Sequence, residues 1–391
     1  MIEINNKMNC CGCMACVQAC PKQCISMCMD EEGFYYPKPD LASCIKCGLC
    51  EKKCPLLNLQ ESIIPRQIYA AKNKEKKILK RSSSGGAFFC FASKIIEQEG
   101  VVFGAKFDES WNVVHDYTES LDGLDAFISS KYVQSRIGSA FRVAEKFLDQ
   151  GRLVLFSGTP CQIAGLRSFL KKDYENLYTV DFLCHGVPSP KIWSIYLSQL
   201  LKRFQRFKES CAQIERISFR DKPNGWLDFF LTIDISVREK NLLKKLSISS
   251  SHRKNPYMRG FLNNLFLRPS CHSCKFKRFQ NHSDVTMGDF WGIGRVNLNF
   301  FDPMGVSMLF VNSLKGEKLL SLVRNQLEIC ETDFDSTLSN NGLNQEVKKH
   351  PRRDYFFAHV DEKINIQSLL YKCVGPSRFR RFLSTIKGVL K

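Results

Sequence analysis

Two runs of cysteine near the start constrain this 391-residue chain more than any other feature of its sequence. Cys10, Cys13, Cys16 and Cys20 follow C-x2-C-x2-C-x3-C with Pro21 next; Cys44, Cys47, Cys50 and Cys54 repeat the spacing with Pro55 next. Three thiols this close wrap three corners of a cubane while the fourth points to a neighbouring one, the spacing of a bacterial two-cluster [4Fe-4S] ferredoxin. The pattern predicts interleaved ligands: Cys10, Cys13 and Cys16 with Cys54, and Cys44, Cys47 and Cys50 with Cys20. Two zinc sites are the alternative, because C-x2-C pairs also serve zinc. A third cysteine three residues on, then Cys-Pro, is not a usual zinc spacing. Cys11, Cys24 and Cys28 fit neither run and read as small buried residues.

Of the 19 cysteines, 11 fall within residues 10–54. An odd, clustered set argues against a disulfide framework and for metal in a reducing compartment. No stretch reaches 18 apolar residues, and MIEINNKMNCC has no apolar signal-peptide core, so the expected location is cytoplasmic.

The expected fold class is mixed α/β: a ferredoxin-like head over residues 1–59, an α/β core, and a helical basic tail. The polar stretch Leu59–Ile64 before Pro65 reads as a linker. Alternating patterns predict strands at Val101–Ala105, Trp111–His115, Leu153–Ser157, Leu177–Leu183, Ile214–Phe219, Leu227–Ile235 and Val306–Val311. Helices are predicted at Ala87–Gln98, Phe141–Gln150 (closed by Gly151), about 162–170 and Lys315–Val323. The expected divisions beyond the head are 65–150, 151–325 and a basic extension over 326–391.

Cys161 ends one predicted strand in Gly-Thr-Pro-Cys-Gln, and Cys184 follows the next in Asp-Phe-Leu-Cys-His-Gly. Ligands in open α/β sheets gather at the carboxyl ends of strands, so these two thiols, with the lone pair Cys271 and Cys274, are candidates for a third metal site. Spacing alone leaves open the other reading, two buried thiols and an incidental pair. Ser82, Ser83, Ser84, Gly85 and Gly86 precede a predicted helix. Small residues there either cradle a phosphate at the helix N-terminus or form a flexible cap.

The formal charge is +18. Three [4Fe-4S] centres at net −2 each would lower it to about +12, since a bound group's own charge enters the sum. That excess favours an acidic partner, an anionic cofactor or a membrane surface; no nucleic-acid motif accompanies it. Lys72, Lys74, Lys76, Lys77 and Lys80 read as a solvated face. In the tail, Phe379, Phe382, Leu383, Ile386 and Leu390 share one helical face, with Arg378, Arg380, Arg381 and Lys387 elsewhere. Such a basic amphipathic helix suits a membrane surface, a partner or its own domain.

Taken in order, the cysteine head, SSSGGAF, KYVQS, LFSGTPCQIAGL, DFLCHGVPSP, FRDKPNGW, C-x2-C and VTMGDFWGIG resemble the beta subunit family of the coenzyme F-420 hydrogenases and dehydrogenases, over roughly residues 1–313. Members with a fused two-cluster head occur in bacteria, often beside genes for surface polysaccharide synthesis. The resemblance implies FAD and at least one [4Fe-4S] cluster. It implies that Cys161, Cys184, Cys271 and Cys274 hold a core cluster, and that Ser82–Gly86, Lys131, Gln134 and Ser135 contact flavin. His185 then either donates a proton near the flavin or supports the cluster, and Asp289 fixes a turn. The implied function is an oxidoreductase passing electrons among the head clusters, the core cluster and FAD, to or from an organic substrate or deazaflavin-like coenzyme. Its partner is a redox protein or a small-molecule donor or acceptor. The alternative is an electron-transfer subunit without its own substrate. A zinc-stabilised nucleic-acid-binding protein is a third reading, from another class.

Overall fold

The computed structural model describes residues 1–170, 172–204, 210–239, 242–277, 279–280, 282–337 and 346–375. The basic amphipathic tail, Arg378 to Leu390, lies outside the described residues.

Each cysteine run opens into a short helix, Ala15–Ala19 and Leu49–Lys52. Between the runs, β1 (Ile25–Met29) and β2 (Tyr35–Pro39) form an antiparallel hairpin. Its turn closes where Asp30 Oδ1 accepts from Phe34 N–H at 2.8 Å. Gly33, at φ +85°, presses this turn onto the helix Pro190–Lys202; a Cβ there would sit 2.1 Å from Lys191 Cβ.

The centre is one eight-stranded mixed sheet. Its order is β13 (Leu327–Glu331), β3 (Gln67–Asn73), β12 (Ser307–Val311), β11 (Val285–Asp289), β7 (Leu177–Phe182), β6 (Val154–Gly158), β4 (Val101–Phe107) and β5 (Val113–Thr118). β4, β6, β7 and β11 run parallel, and the strands at both margins are antiparallel. The central strands are buried on both faces, so they read as continuous apolar runs such as VLF and MLFV. The helices Ala87–Glu97 and Leu314–Ser321 pack on one face through Phe91, Ile95 and Leu319. The helices Ala140–Asp149 and Pro160–Phe169 pack on the other through Phe141, Ile163 and Leu166.

The sheet draws strands from both sides of the expected division at residue 151. β13, from the expected extension, forms one margin. Expected strand Trp111–His115 starts at Val113 instead, because Trp111 adopts a left-handed φ of 61° in the turn between β4 and β5.

A second core lies beside the sheet. β8 (Ser210–Asp221), β9 (Phe230–Glu239) and β10 (Leu242–Ser251) form a three-stranded antiparallel meander. Its Ile233 and Ile235 pack with Trp193, Tyr257 and Leu370 from the helices Pro190–Lys202, Pro256–Leu262 and Ile366–Val374.

The head is fastened onto this core. Arg142 Nε donates to Gln18 O at 2.8 Å, Lys53 Nζ to Leu170 O at 3.2 Å, and Ser189 Oγ to Glu32 O at 2.5 Å. Arg353, from the helix Arg353–His359, grips both Glu32 carboxylate oxygens at 2.7 and 2.5 Å and the Leu267 carbonyl at 2.9 Å.

Candidate redox centres

The repeat in the sequence is also a repeat in the backbone. Gly12 and Met14 in the first run have φ 71° and 64°; Lys46 and Gly48, the equivalent positions in the second, have φ 53° and 73°. Left-handed residues on both sides of the middle cysteine turn each run tightly, and one of each pair is glycine, which tolerates that conformation without a Cβ penalty. Met14 and Lys46 bear the strain, of the kind that clusters where a site over-determines its backbone.

Four of the eight head thiols share a cavity. Cys20, Cys44, Cys47 and Cys50 line one cavity together with Cys24, whose Sγ is 3.4 Å from Cys20 Sγ. Backbone N–H groups point at this set, from Ile2 to Cys50 Sγ at 3.2 Å and from Lys46 to Cys44 Sγ at 3.4 Å. Cys16 stands near Cys10, Cys54 and Cys50, and burial followed by their proximity pushes its thiol up to about 12. Cys13, although a hydrogen bond with Cys11 lowers it, is in turn raised by burial, Cys16 and Cys10. Cys28 is exposed on β1, which corrects its reading as a buried residue; Cys24 is buried as expected and also lines the cavity.

A third group of thiols meets at a second cavity. β6 and β7 are parallel neighbours, so the chain leaves both at the same end. There Thr159 and Gln162 cap the helix Pro160–Phe169 reciprocally, with Pro160 at its start, and this fixes Cys161 in the first turn. Cys184 follows the end of β7. Cys271 lies in the turn Pro269–Ser273, its Sγ accepting from Val187 N–H at 3.4 Å. Cys161, Cys184, Cys271 and Cys274 line the cavity with Cys11, which thus stands between the head and this group. Burial pushes the Cys184 thiol far up and Cys271 to about 12, and each is raised further by the others. Burial, with Glu75 adding to it and no other thiol involved, pushes Cys90 up to about 12 as well, so the proximity of the thiols, not the shift, marks the site. Among the described residues no three His, Cys, Asp or Glu side chains stand close enough to hold a single metal ion. Two groups of thiols line cavities instead, one around Cys44 and one around Cys184.

The head and core groups are in contact. Gly165, one turn beyond Cys161, faces Cys13; a Cβ there would lie 2.8 Å from Cys13 Cβ and 3.0 Å from its Sγ.

His185 forms part of the cavity wall beside Cys184. Its Nε2 is 2.6 Å from Asn264 Oδ1, its ring meets Phe261 edge-on, and burial pushes its imidazole down.

The residues expected at a flavin lie elsewhere, and their polar groups are engaged within the protein. Ser82 Oγ donates to Ile78 O, Ser84 Oγ to Val306 O, and Gly85 N–H to Ser307 Oγ. Ser83 Oγ accepts from Ser130 N–H at 2.7 Å. Gly85 is closely packed, with Ala71 O 2.3 Å from where a Cβ would be, and Gly86, at φ +80°, caps the next helix. Lys131 Nζ donates to the carbonyls of Ala126, Ile128 and Ser129. Gln134 bridges Cys11 O and Arg268, and Ser135 Oγ accepts from Gln162. As arranged, this loop does not fit a flavin phosphate.

Four of the sequence motifs nevertheless converge. Arg220 pairs with both Asp289 oxygens at 3.0 and 3.1 Å, and reaches Tyr132 Oη and Ser83 O. Trp226 Nε1 donates to Asp289 at 3.0 Å, and its ring stacks on Trp291 at 4.8 Å. Asp289 is thus the partner of a buried arginine and a tryptophan, not a turn residue.

Residues 151–337 match the family model for the C terminus of the coenzyme F420 hydrogenase/dehydrogenase beta subunit. That segment carries β6 to β13 and all four core cysteines. Among solved structures, a chain of the xenon-derivatised F420-reducing [NiFe] hydrogenase complex from Methanosarcina barkeri is similar at 14% identity and TM-score 0.44, covering 82% of this chain and 92% of that one. Among curated proteins none matches. No helix among the described residues is long and apolar enough to cross a membrane.

Sequence reasoning missed Cys11 as a cavity residue, Arg268 as the side chain joining head and core, and Arg353 as the clamp. The doubled cysteine Cys10-Cys11 was the one available signal, because a residue beside a ligand but outside the run must face elsewhere.

Proposed function

We propose that this chain is an iron–sulfur oxidoreductase component that carries electrons between a two-centre head and a third centre in the core. In this reading, Cys10, Cys13, Cys16 and Cys54 hold one [4Fe-4S] centre, Cys20, Cys44, Cys47 and Cys50 a second, and Cys161, Cys184, Cys271 and Cys274 the third. Such centres supply one-electron transfer at potentials tuned by charge, hydrogen bonding and exposure. The observation that carries the reading is the lining of two cavities by eight of these cysteines, drawn from distant parts of the sequence, with Cys10 and Cys54 close to Cys16. The family match over residues 151–337 supports a redox role for the segment bearing the third group.

The chain's own residues do the rest. Backbone N–H groups of Ile2, Lys46 and Val187 donate to sulfur, which stabilises thiolate charge. The glycine at position 165 lets the Cys161 helix lie directly on Cys13, which shortens the distance between head and core groups. A flavin is expected from the motif resemblance alone, and no step is routed through it.

Electron paramagnetic resonance of the dithionite-reduced chain tests this. Wild type should show three one-electron centres, and Cys184→Ser should lose one and keep the two head signals. Equal spin counts in the two proteins would defeat the proposal for the core.

A further inference from the structure

Arg268 is fully buried. An isolated charge in the interior is costly, and buried guanidinium groups normally meet a carboxylate. Arg220 does so at Asp289 and Arg353 at Glu32. Among the described residues Arg268 makes no ion pair with Asp or Glu. Its Nε donates to Cys10 O at 2.8 Å, Nη1 to Gln134 Oε1 at 3.1 Å, and Nη2 to Tyr35 O at 2.9 Å and Cys10 Sγ at 3.6 Å. Its guanidinium lies 4.3 Å from the Tyr36 ring centroid and 5.5 Å from that of Phe34. The place is built for it: Gly12, between Cys10 and Cys13 at φ +71°, has no Cβ, and one there would lie 2.9 Å from Nη1. The same residue also holds the core loop, since its carbonyl accepts from Cys271 N–H at 2.9 Å.

Carbonyls and rings lower the cost of the buried cation without neutralising it. The sulfur atom it touches belongs to the first head group, and a [4Fe-4S] centre with four thiolates is an anion. We propose that Arg268 and the Cys10 centre are each other's counter-charge, and that this positioning residue raises the reduction potential of that centre relative to the Cys44 centre. This rests on the reading that Cys10, Cys13, Cys16 and Cys54 hold a [4Fe-4S] centre. On reduction by an external one-electron donor, the centre gains one negative charge. A fixed cation at Cys10 Sγ stabilises the reduced form more than the oxidised one. Arg268 thereby biases electrons toward the head centre that lies against the core.

The test is a dithionite redox titration of the whole chain, followed by electron paramagnetic resonance, for wild type, Arg268→Met and Arg268→Lys, with iron measured on each. Removing the charge should lower one head midpoint by at least tenfold in the reduction equilibrium, about 59 mV for a one-electron couple, and leave the other head midpoint in place. Arg268→Lys keeps charge but loses the fork that reaches both Cys10 Sγ and Tyr35 O, so its midpoint should fall less. An iron-loaded Arg268→Met with wild-type midpoints overturns the proposal. If Arg268→Met does not load, an iron-loaded Arg268→Lys with a lowered midpoint supports it and one with an unchanged midpoint overturns it; loss of iron from both makes the role structural and overturns it. Wild type without head centres would instead sink the cluster reading itself.

Discussion

Arg353→Met separates the head's attachment from its chemistry. The arginine is buried and bidentate to Glu32, which is itself mostly covered, with a side-chain exposure of 14%. Breaking a buried pair by removing one partner costs about 3–5 kcal/mol, because the other charge is left uncompensated. Glu32 keeps some contact with water, so the lower end applies, about 3 kcal/mol. At 1.36 kcal/mol per decade, that raises the undocked population roughly 150-fold. Methionine keeps an unbranched apolar stem against Phe357, over which the guanidinium now lies at 4.6 Å. Native-state hydrogen exchange is the assay, because local opening of one unit is read directly at its amides. Protection should fall at the seam, in the Cys10–Cys16 loop and the β1–β2 turn, and stay unchanged in β6, β7 and β12. Adding Glu32→Gln should restore part of the loss, since it removes the orphaned charge. Seam protection within twofold of wild type in Arg353→Met would refute the clamp.

Three further outcomes follow from named contacts. Cys54→Ser and Cys20→Ser should each lose about four irons per chain, given four per cubane, from different centres; the resonance signals that remain should differ between the two variants. His115, buried with Nε2 3.0 Å from Ser157 O, is pushed by burial down to about 4. Its stabilising contribution is therefore present above its unfolded value near 6.5 and lost as pH falls toward 4. Denaturant titrations should show His115→Gln losing about 2 kcal/mol less than wild type between pH 7 and pH 5. Asp284, buried, accepts from Thr179 N–H at 2.8 Å, Thr179 Oγ1 at 2.7 Å and Ser313 Oγ at 2.7 Å. Asp284→Ala leaves those donors unmet and should lower the thermal midpoint by several degrees, at about 1–3 kcal/mol per orphaned group.

The proposal for the head could be read from the sequence because its candidate ligands are local: a spacing of two or three residues is all a cubane corner needs, and a repeat doubles the signal. Cys161 and Cys184 were legible one step further out, since two predicted strands with a helix between them place their carboxyl ends side by side. Nothing local tied Cys271 and Cys274 to them; the contact that seats that pair comes from Val187 N–H to Cys271 Sγ, 84 residues away in sequence. Arg268 and Arg353 gave no signal, because a buried arginine is written in the sequence like an exposed one. The flavin expectation came from motif resemblance, and the loop's hydroxyls prove to bond Ile78 O, Ser130 N–H and Val306 O within the protein. β10 was missed because Lys244 and Lys245, on opposite faces of the strand, break the apolar period, and residues 243–247 are all exposed. The extent of the sheet was hidden for a related reason: β3 and β13 pair across more than 250 residues, and no composition shift announces it.

The central claim is that three groups of thiols hold three cubanes, and metal content measures it directly. The chain purified without oxygen should carry about twelve irons and about twelve acid-labile sulfides, four of each per centre, with flavin quantified on the same sample. About eight of each would leave the core cavity without its centre, and zinc in place of iron would contradict the account from the head onward.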